Sequence, residues 1–357
     1  MDERGANNTV ARRPGLLGRM RDLIDDYMPQ GGWSNVLLGL LAVYLVVVLV
    51  LGILWSMAPE PFNVEARAAD TLSRPAANLP AGAVTTAALI GVVETLLEKR
   101  GGFIYNDRFP PGLYLDNMPN WEYGALIQAR DLGRALRENL SRSQSQSRED
   151  PDLALGEPRL NFQTNSWLLP ASESEYRDGI RYFQRYLERL ADEGKQDAQF
   201  YARADNLRDY LSMVSARLGS LSQRLSASVG QRRLNTDLAG ERNAVQSTQA
   251  DPEQDVQTPW TEIDDVFFEA RGTAWALLHF LRAVAVDFDS VLADKNASVS
   301  LKQIIRELEP TQNAIWSPFI LNGTGFGFLA NHSLVMASYL SRANAAIIDL
   351  RNLLDRG

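Results

Sequence analysis

The chain has 357 residues, 45% of them hydrophobic, and a formal net charge of -8 at pH 7. That size and apolar content suit one large domain or two small ones and exclude a disordered chain. With no cysteine and two histidines, disulfides, thiolate metal sites and cysteine catalysis are excluded, and the acidic balance offers no broad footprint for nucleic acid.

Residues 1–34 read as a short cytoplasmic tail, and 35–57 as a transmembrane signal-anchor. Within the latter, VLLGLLAVYLVVVLVLGILW (36–55) holds no charge, and as a helix it spans about 30 Å, the thickness of a bilayer's hydrocarbon core. It is therefore assigned to membrane lipid, with Trp33 and Trp55 near its two interfaces. Arg12, Arg13, Arg19 and Arg21 precede it, whereas the first bases after it are Arg67 and Arg74. This asymmetry predicts a cytoplasmic N-terminus and an outward C-terminal bulk. A cleaved signal peptide is the rival reading, with SMA (56–58) as a weak cleavage site; the length of the run and Pro59 favour retention.

Residues 58–82, rich in Ala, Pro and Asn, read as a linker, and 83–357 as a mostly helical outward domain. A helix over 83–99 is apolar on several sides and so belongs in the core. GGFIYNDRFPPGLYLDNMPNWEYG (101–124) is aromatic, and Pro110, Pro111 and Pro119 deny it regular structure. It is either a packed surface loop or a contact for a partner, with Arg108, Tyr114 and Trp121 as anchors. A helix follows to about Leu140, then a low-complexity, mobile SRSQSQSRED (141–150).

Ser172 and Glu175 form a capping-box pattern for a helix ending near Gly194. From about Asp197 to Val229, Leu207, Leu211, Val214, Leu218, Leu221 and Leu225 repeat at alternating spacings of four and three. That heptad seam predicts a hairpin with the preceding helix or, alternatively, a contact between copies of the chain. Residues 230–259 lack periodicity and read as a mobile loop. Amphipathic helices are expected from Thr261 to about Phe288, over 301–309 and over 332–354. The fold class expected is all-α: one N-terminal transmembrane helix followed by an antiparallel bundle of about six to eight helices.

No pattern specifies catalytic, cofactor-binding or metal-ligating residues. His279 in AWALLHFL reads as a core histidine; His332 begins the last helix beside a glycine-rich loop, without a partner for proton relay. Glu262, Asp264, Asp265 and Glu269 could supply a carboxylate pair for a cell-wall glycoside hydrolase, but charge at a helix N-terminus explains them more simply. LNGTGFGFLANHS (321–333) lacks the Lys and Ser/Thr of a P-loop and the spacing of the dinucleotide fingerprint. It lies in a stretch without charge from Pro310 to Ser341, read as buried in the bundle, with an apolar surface for the bilayer or a membrane partner as the alternative.

The blocks GGFIYNDRFPPGLYLDNMPNWEYGALIQARD (101–131) and WSPFILNGTGFGFLANHSLVMASYLSRANAAI (316–347) resemble a family of Gram-negative bacterial proteins catalogued as domain of unknown function 2333. The resemblance covers the chain from about residue 20 onward. It implies a bacterial inner-membrane protein with a periplasmic domain, and it carries over no catalytic or ligand residues. Together these readings predict a non-enzymatic cell-envelope protein that engages another envelope protein, or a second copy of itself, through its helical domain. A small-molecule sensor is the alternative, and a wall hydrolase ranks below it.

Overall fold

The computed structural model describes residues 32–142, 148–194, 197–234, 253–317, 319–324 and 327–356. The chain divides into two compact units, Met1–Leu51 and Gly52–Gly357. Helix α1, Gly32–Trp55, carries no charged residue and buries none of its apolar side chains along the stretch that could cross a membrane. It is long and apolar enough to span one.

The fold is all-α, with eleven α-helices among the described residues. After α1 come α2 (Val64–Leu72), α3 (Ala83–Glu98), α4 (Asn117–Ala135, continued by a π-helical turn to Leu140) and α5 (Pro151–Leu160). Then follow α6 (Ser172–Leu190), α7 (Ala204–Ser226), α8 (Ile263–Asp287), α9 (Asp289–Asp294), α10 (Ser298–Leu308) and α11 (His332–Asp355). Among the described residues, β1 (Gln231–Leu234) and β2 (Glu253–Val256) pair antiparallel, and Asn322 and Asn331 form an isolated antiparallel bridge.

Helices α4 and α8 form the centre of the second unit. Trp121 and Trp275, both fully buried, meet there with ring centroids 5.1 Å apart. Helix α3 lies against α4, α6 and α8 and is buried on nearly every side, as its all-round apolarity requires. Its N-terminus has no capping side chain of its own, because the N-cap is Gly82. Asp287, at the far end of α8, fills that role and accepts from the Thr85 amide at 2.7 Å. Burial raises the Asp287 carboxyl, against hydrogen bonds from Thr85 that lower it.

Several expected elements take a different form. The segment read as a linker contains α2, capped by Asn63, whose side chain accepts from the Ala66 amide at 2.9 Å. Helix α5 emerges directly from the low-complexity run, capped by Asp150 with Pro151 in its first turn. Residues 143–147 of that run, and 235–252 of the expected mobile loop, lie outside the described residues.

The capping box at Ser172 is not formed. Ser172 is already helical, and its hydroxyl donates to the carbonyls of Gln163 and Ser166. Glu175 instead pairs with Arg159 of α5. The leucine seam of α7 is buried within the chain, as a hairpin would require, but the partner is α11 and not the preceding helix. Arg208 meets Asp355, Ser215 meets Asn344, and Ser222 meets Ala337. The two helices therefore run antiparallel in a single register.

Candidate functional site

His279 is a core histidine, as its setting in the sequence predicts. Its Nδ1–H donates to the Trp275 carbonyl at 2.8 Å, which leaves Nε2 to accept from the Phe62 amide at 3.0 Å. The Phe62 ring stacks on the imidazole at 4.0 Å. Through these contacts His279 fastens the APEPF segment to the core. Burial pushes its pKa down to about 4 from 6.5, so the ring is neutral at physiological pH.

The consequence for stability has a definite sign. The unfolded state binds a proton below about 6.5 and the folded state only below about 4, so this contribution is complete above 6.5 and is lost as pH falls to 4. The expected loss is roughly 3 kcal/mol across that window. Urea unfolding at pH 7, 5 and 4 measures it against His279→Phe. Equal slopes for the two proteins would rule out His279 as the source.

His332 also has a structural task. Its Nδ1 accepts from the Leu321 amide at 3.0 Å, while its own amide donates to the Leu321 carbonyl at 3.0 Å. The imidazole thus splints the loop that precedes α11. The four acids near the start of α8 are likewise engaged in part. Both oxygens of Glu269 accept from Arg224, and Asp265 accepts from Asn120 at 2.6 Å. The Asp265 carboxyl is pushed up to about 6, first by burial and then by Asp264, Asp116, Glu262 and Glu269. No group of three or more His, Asp or Glu among the described residues could hold a metal ion.

The expected irregular segment 101–124 ends at Asp116, because α4 begins at Asn117. Helix α4 accommodates Pro119 in its first turn, where no intrahelical N–H bond is lost. The segment divides into an inner and an outer part. Phe103, Ile104 and Trp121 are buried. Lys99 and Glu122, itself fully buried, form an ion pair at 2.6 Å, and the carboxylate also accepts from the amides of Ile104 and Tyr105. Burial pushes the Glu122 carboxyl up to about 7, while Lys99 and the two amides hold it down. Arg108 donates to the Asn165 carbonyl. Of the three expected contact residues, Trp121 is therefore core, Arg108 is exposed but ties two loops together, and Tyr114 stands exposed.

The charge-free segment before α11 departs most from expectation. Asn322 and Asn331 turn inward and Ile315 and Ile320 pack against the core, but Trp316, Phe319, Phe328 and Leu329 turn outward. Arg271, buried on α8, donates to the carbonyls of Asn313 and Gln312 at 2.8 and 3.0 Å. Asn331 binds the Asn322 side chain and the Gly323 carbonyl, and it caps α11 through the Leu334 amide. Asn322 reaches the Ser228 carbonyl at 2.8 Å. Gly323 sits so close to Leu329 that an added Cβ would lie 2.1 Å from its carbonyl oxygen.

On this fastened backbone Trp316 is 94% exposed and Phe319, Phe328 and Leu329 are also exposed. Gly325 and Phe326 lie outside the described residues. The expected burial is thus corrected: the loop's root is packed, but its apolar tips are not. The core beneath is already closed by helix-on-helix contact, and what the loop needs from it is partners for its backbone polar groups.

A cleft of about 300 Å³ lies between α4, α7 and α8, lined by Tyr123, Gln128, Asp131, Arg217, Glu269 and Thr273 among others. Arg217 grips Asp131 through two hydrogen bonds of 2.9 and 3.1 Å. Gln128 is fully buried, and neither end of its amide has a protein partner. The sequence carried no signal for this residue, because its helix face could be told only once α7 and α8 were in place.

The family model described as an uncharacterized protein conserved in bacteria (DUF2333) matches residues 28–357, so the chain belongs to that family. No curated protein matches the chain, and no solved structure does.

Proposed function

We propose that this member of a bacterial family is a single-pass inner-membrane protein with a cytoplasmic N-terminus and a periplasmic helical domain. The domain works without chemistry of its own, by holding another envelope protein. The topology rests on the arginines before α1 and their scarcity just after it. Engagement of both histidines and Glu269 in structural bonds supports a non-enzymatic role.

The observation that carries the reading is the loop before α11. Exposed Trp and Phe side chains on a backbone held by Arg271, Asn322, Asn331 and His332 lose little entropy when covered. An exposed apolar surface of this kind marks a contact with protein or membrane, and we read it as a protein contact. Its test is a photo-crosslinking amino acid placed at Trp316 or at Phe328 in native membranes. Both positions are expected to yield one common adduct, and Phe319→Ser is expected to weaken it. Adducts to lipid alone, to a second copy of the chain, or to nothing would sink the proposal.

The buried Gln128 favours a second reading, a sensor domain that holds a small polar molecule in the cleft between α4, α7 and α8. Native mass spectrometry of the purified chain is expected, on that reading, to reveal a small bound mass that Gln128→Leu sheds. Identical spectra for the two proteins would remove it.

A further inference from the structure

We infer that the face carrying Phe109, Leu113, Tyr114, Leu168 and Leu169 inserts into lipid. The inference rests on the reading of α1 as a membrane span. The chain enters the domain at Gly52, whose added Cβ would touch Pro111 and Leu115 at 3.8 and 3.9 Å. One turn later the Trp55 indole covers Gly101, so closely that a Cβ there would lie 2.6 Å away. The last turn of the apolar helix is therefore seated on the loop 101–115, and Trp55 is an aromatic of the kind found at the membrane–water interface.

The same loop turns Phe109, Leu113 and Tyr114 outward. A second loop stands beside it, because Phe109 meets Trp167 edge to face at 6.1 Å and Asn106 donates to the Ser166 carbonyl at 2.7 Å. This second loop turns Leu168 and Leu169 outward, the latter 90% exposed. Leu169 is also held at φ 46, a left-handed conformation that branched side chains rarely adopt. The Ser166 hydroxyl bound to the Pro170 carbonyl and the Ser172 hydroxyl bound to Ser166 keep the turn in place. A leucine kept in such a conformation and left in water serves no packing purpose inside the domain.

The seating of Gly52 and Trp55 on the first loop, with few charges on either loop, points to lipid as the occupant. Residues 110–115 and 160–172 contain no Asp, Glu, Lys or Arg. Arg108, exposed beside Phe109, is bound to the Asn165 carbonyl. A face of leucine and aromatic side chains of this kind inserts at the headgroup–acyl boundary chiefly by apolar burial. The contact of Trp55 with Gly101, within the helical unit, supports that placement for the first loop, and the Phe109–Trp167 contact joins the second loop to it.

The absence of cysteine makes the test direct. Full-length chains carrying Leu113→Cys, Leu169→Cys, Leu155→Cys or Val43→Cys are nitroxide-labelled and placed in phosphatidylcholine nanodiscs. Collision with oxygen reports lipid, and collision with a nickel chelate reports water. Labels at 113 and 169 are expected to give an oxygen-to-nickel ratio several-fold above that at 155, an exposed position on α5. Ratios equal to that at 155 overturn the inference. Shielding from both probes overturns it in favour of a covering protein. A water-like label at 43 means the span itself has failed, and the inference falls with it.

Discussion

Gly272→Ala is expected to destabilise the helical domain by at least about 3 kcal/mol, the upper end for an overpacked core site. An alanine Cβ there would lie 1.9 Å from the Trp121 carbonyl oxygen and 2.7 Å from its carbon. These are backbone atoms, so no rotamer change can make room. The reciprocal position is as tight, since a Cβ added at Gly124 would lie 2.0 Å from the Glu269 carbonyl oxygen. The two glycines are what let α4 and α8 cross backbone to backbone, with Trp121 and Trp275 closed over one another beside the crossing. Forcing the helices apart would open that aromatic contact as well as the clash site. A domain with a net stability of about 5–15 kcal/mol tolerates little of this. Gly219→Ala on α7 is the matched control, because its nearest neighbour is the Asn344 side-chain nitrogen at 3.5 Å. There the better helix former is expected to add about 0.5–1 kcal/mol. Urea unfolding followed by circular dichroism reads both, and a Gly272→Ala protein as stable as the parent would mean that the helices cross elsewhere.

Lys99→Met is expected to cost about 3–5 kcal/mol, because it leaves the Glu122 carboxylate buried without its counter-charge. Lys99 also closes its own turn by donating to the Gly102 carbonyl at 2.6 Å. Adding Glu122→Gln should recover part of the loss: the amide oxygen can still accept from Ile104 and Tyr105, and no charge remains inside. This ordering, with the double variant more stable than Lys99→Met alone, is the test of the pair. A double variant that is worse than either single one would show that the ion pair itself, and not the removal of an orphaned charge, dominates. Amide exchange at Ile104 and Tyr105 gives the local readout, with faster exchange expected in Lys99→Met.

Some elements were legible because a single local property decides them. An uncharged run of twenty residues reads as α1, and helix α3 declares its burial by being apolar all round. The seam of α7 likewise marks the face that is buried. Helices α2 and α5 were less visible, at nine and ten residues, because too few turns repeat for a period to stand out. For α5 a signal was available in Asp150-Pro151, an N-cap followed by a proline at the first helical position, but it sits at the end of a polar repeat. Ser172 illustrates the opposite failure. Its spacing to Glu175 fits a capping box, yet both side chains are claimed by neighbours from α5 and the loop after it.

The segment 310–341 is the clearest division between the two levels. Its lack of charge was plain, and lack of charge is what interior and unpartnered surface have in common. The inward turn of Asn322 and Asn331 and the outward turn of Trp316 and Phe328 depend on which backbone carbonyls the neighbouring elements leave to be satisfied. The same holds for His279, whose acceptor role exists only because the Phe62 amide arrives from a distance of 217 residues along the chain.

The sequence by itself thus determined the all-α class, the apolar N-terminal helix and the faces that had to be covered. Only the tertiary structure decided what covers each of them: α11 on the seam of α7, Phe62 on His279, and, among the described residues, nothing over Leu169 or Phe328. The reason is physical. Apolar burial has no direction and names no partner, so a pattern can require a cover without choosing one. The choice falls to hydrogen bonds and close backbone approaches, which act between residues far apart in the chain.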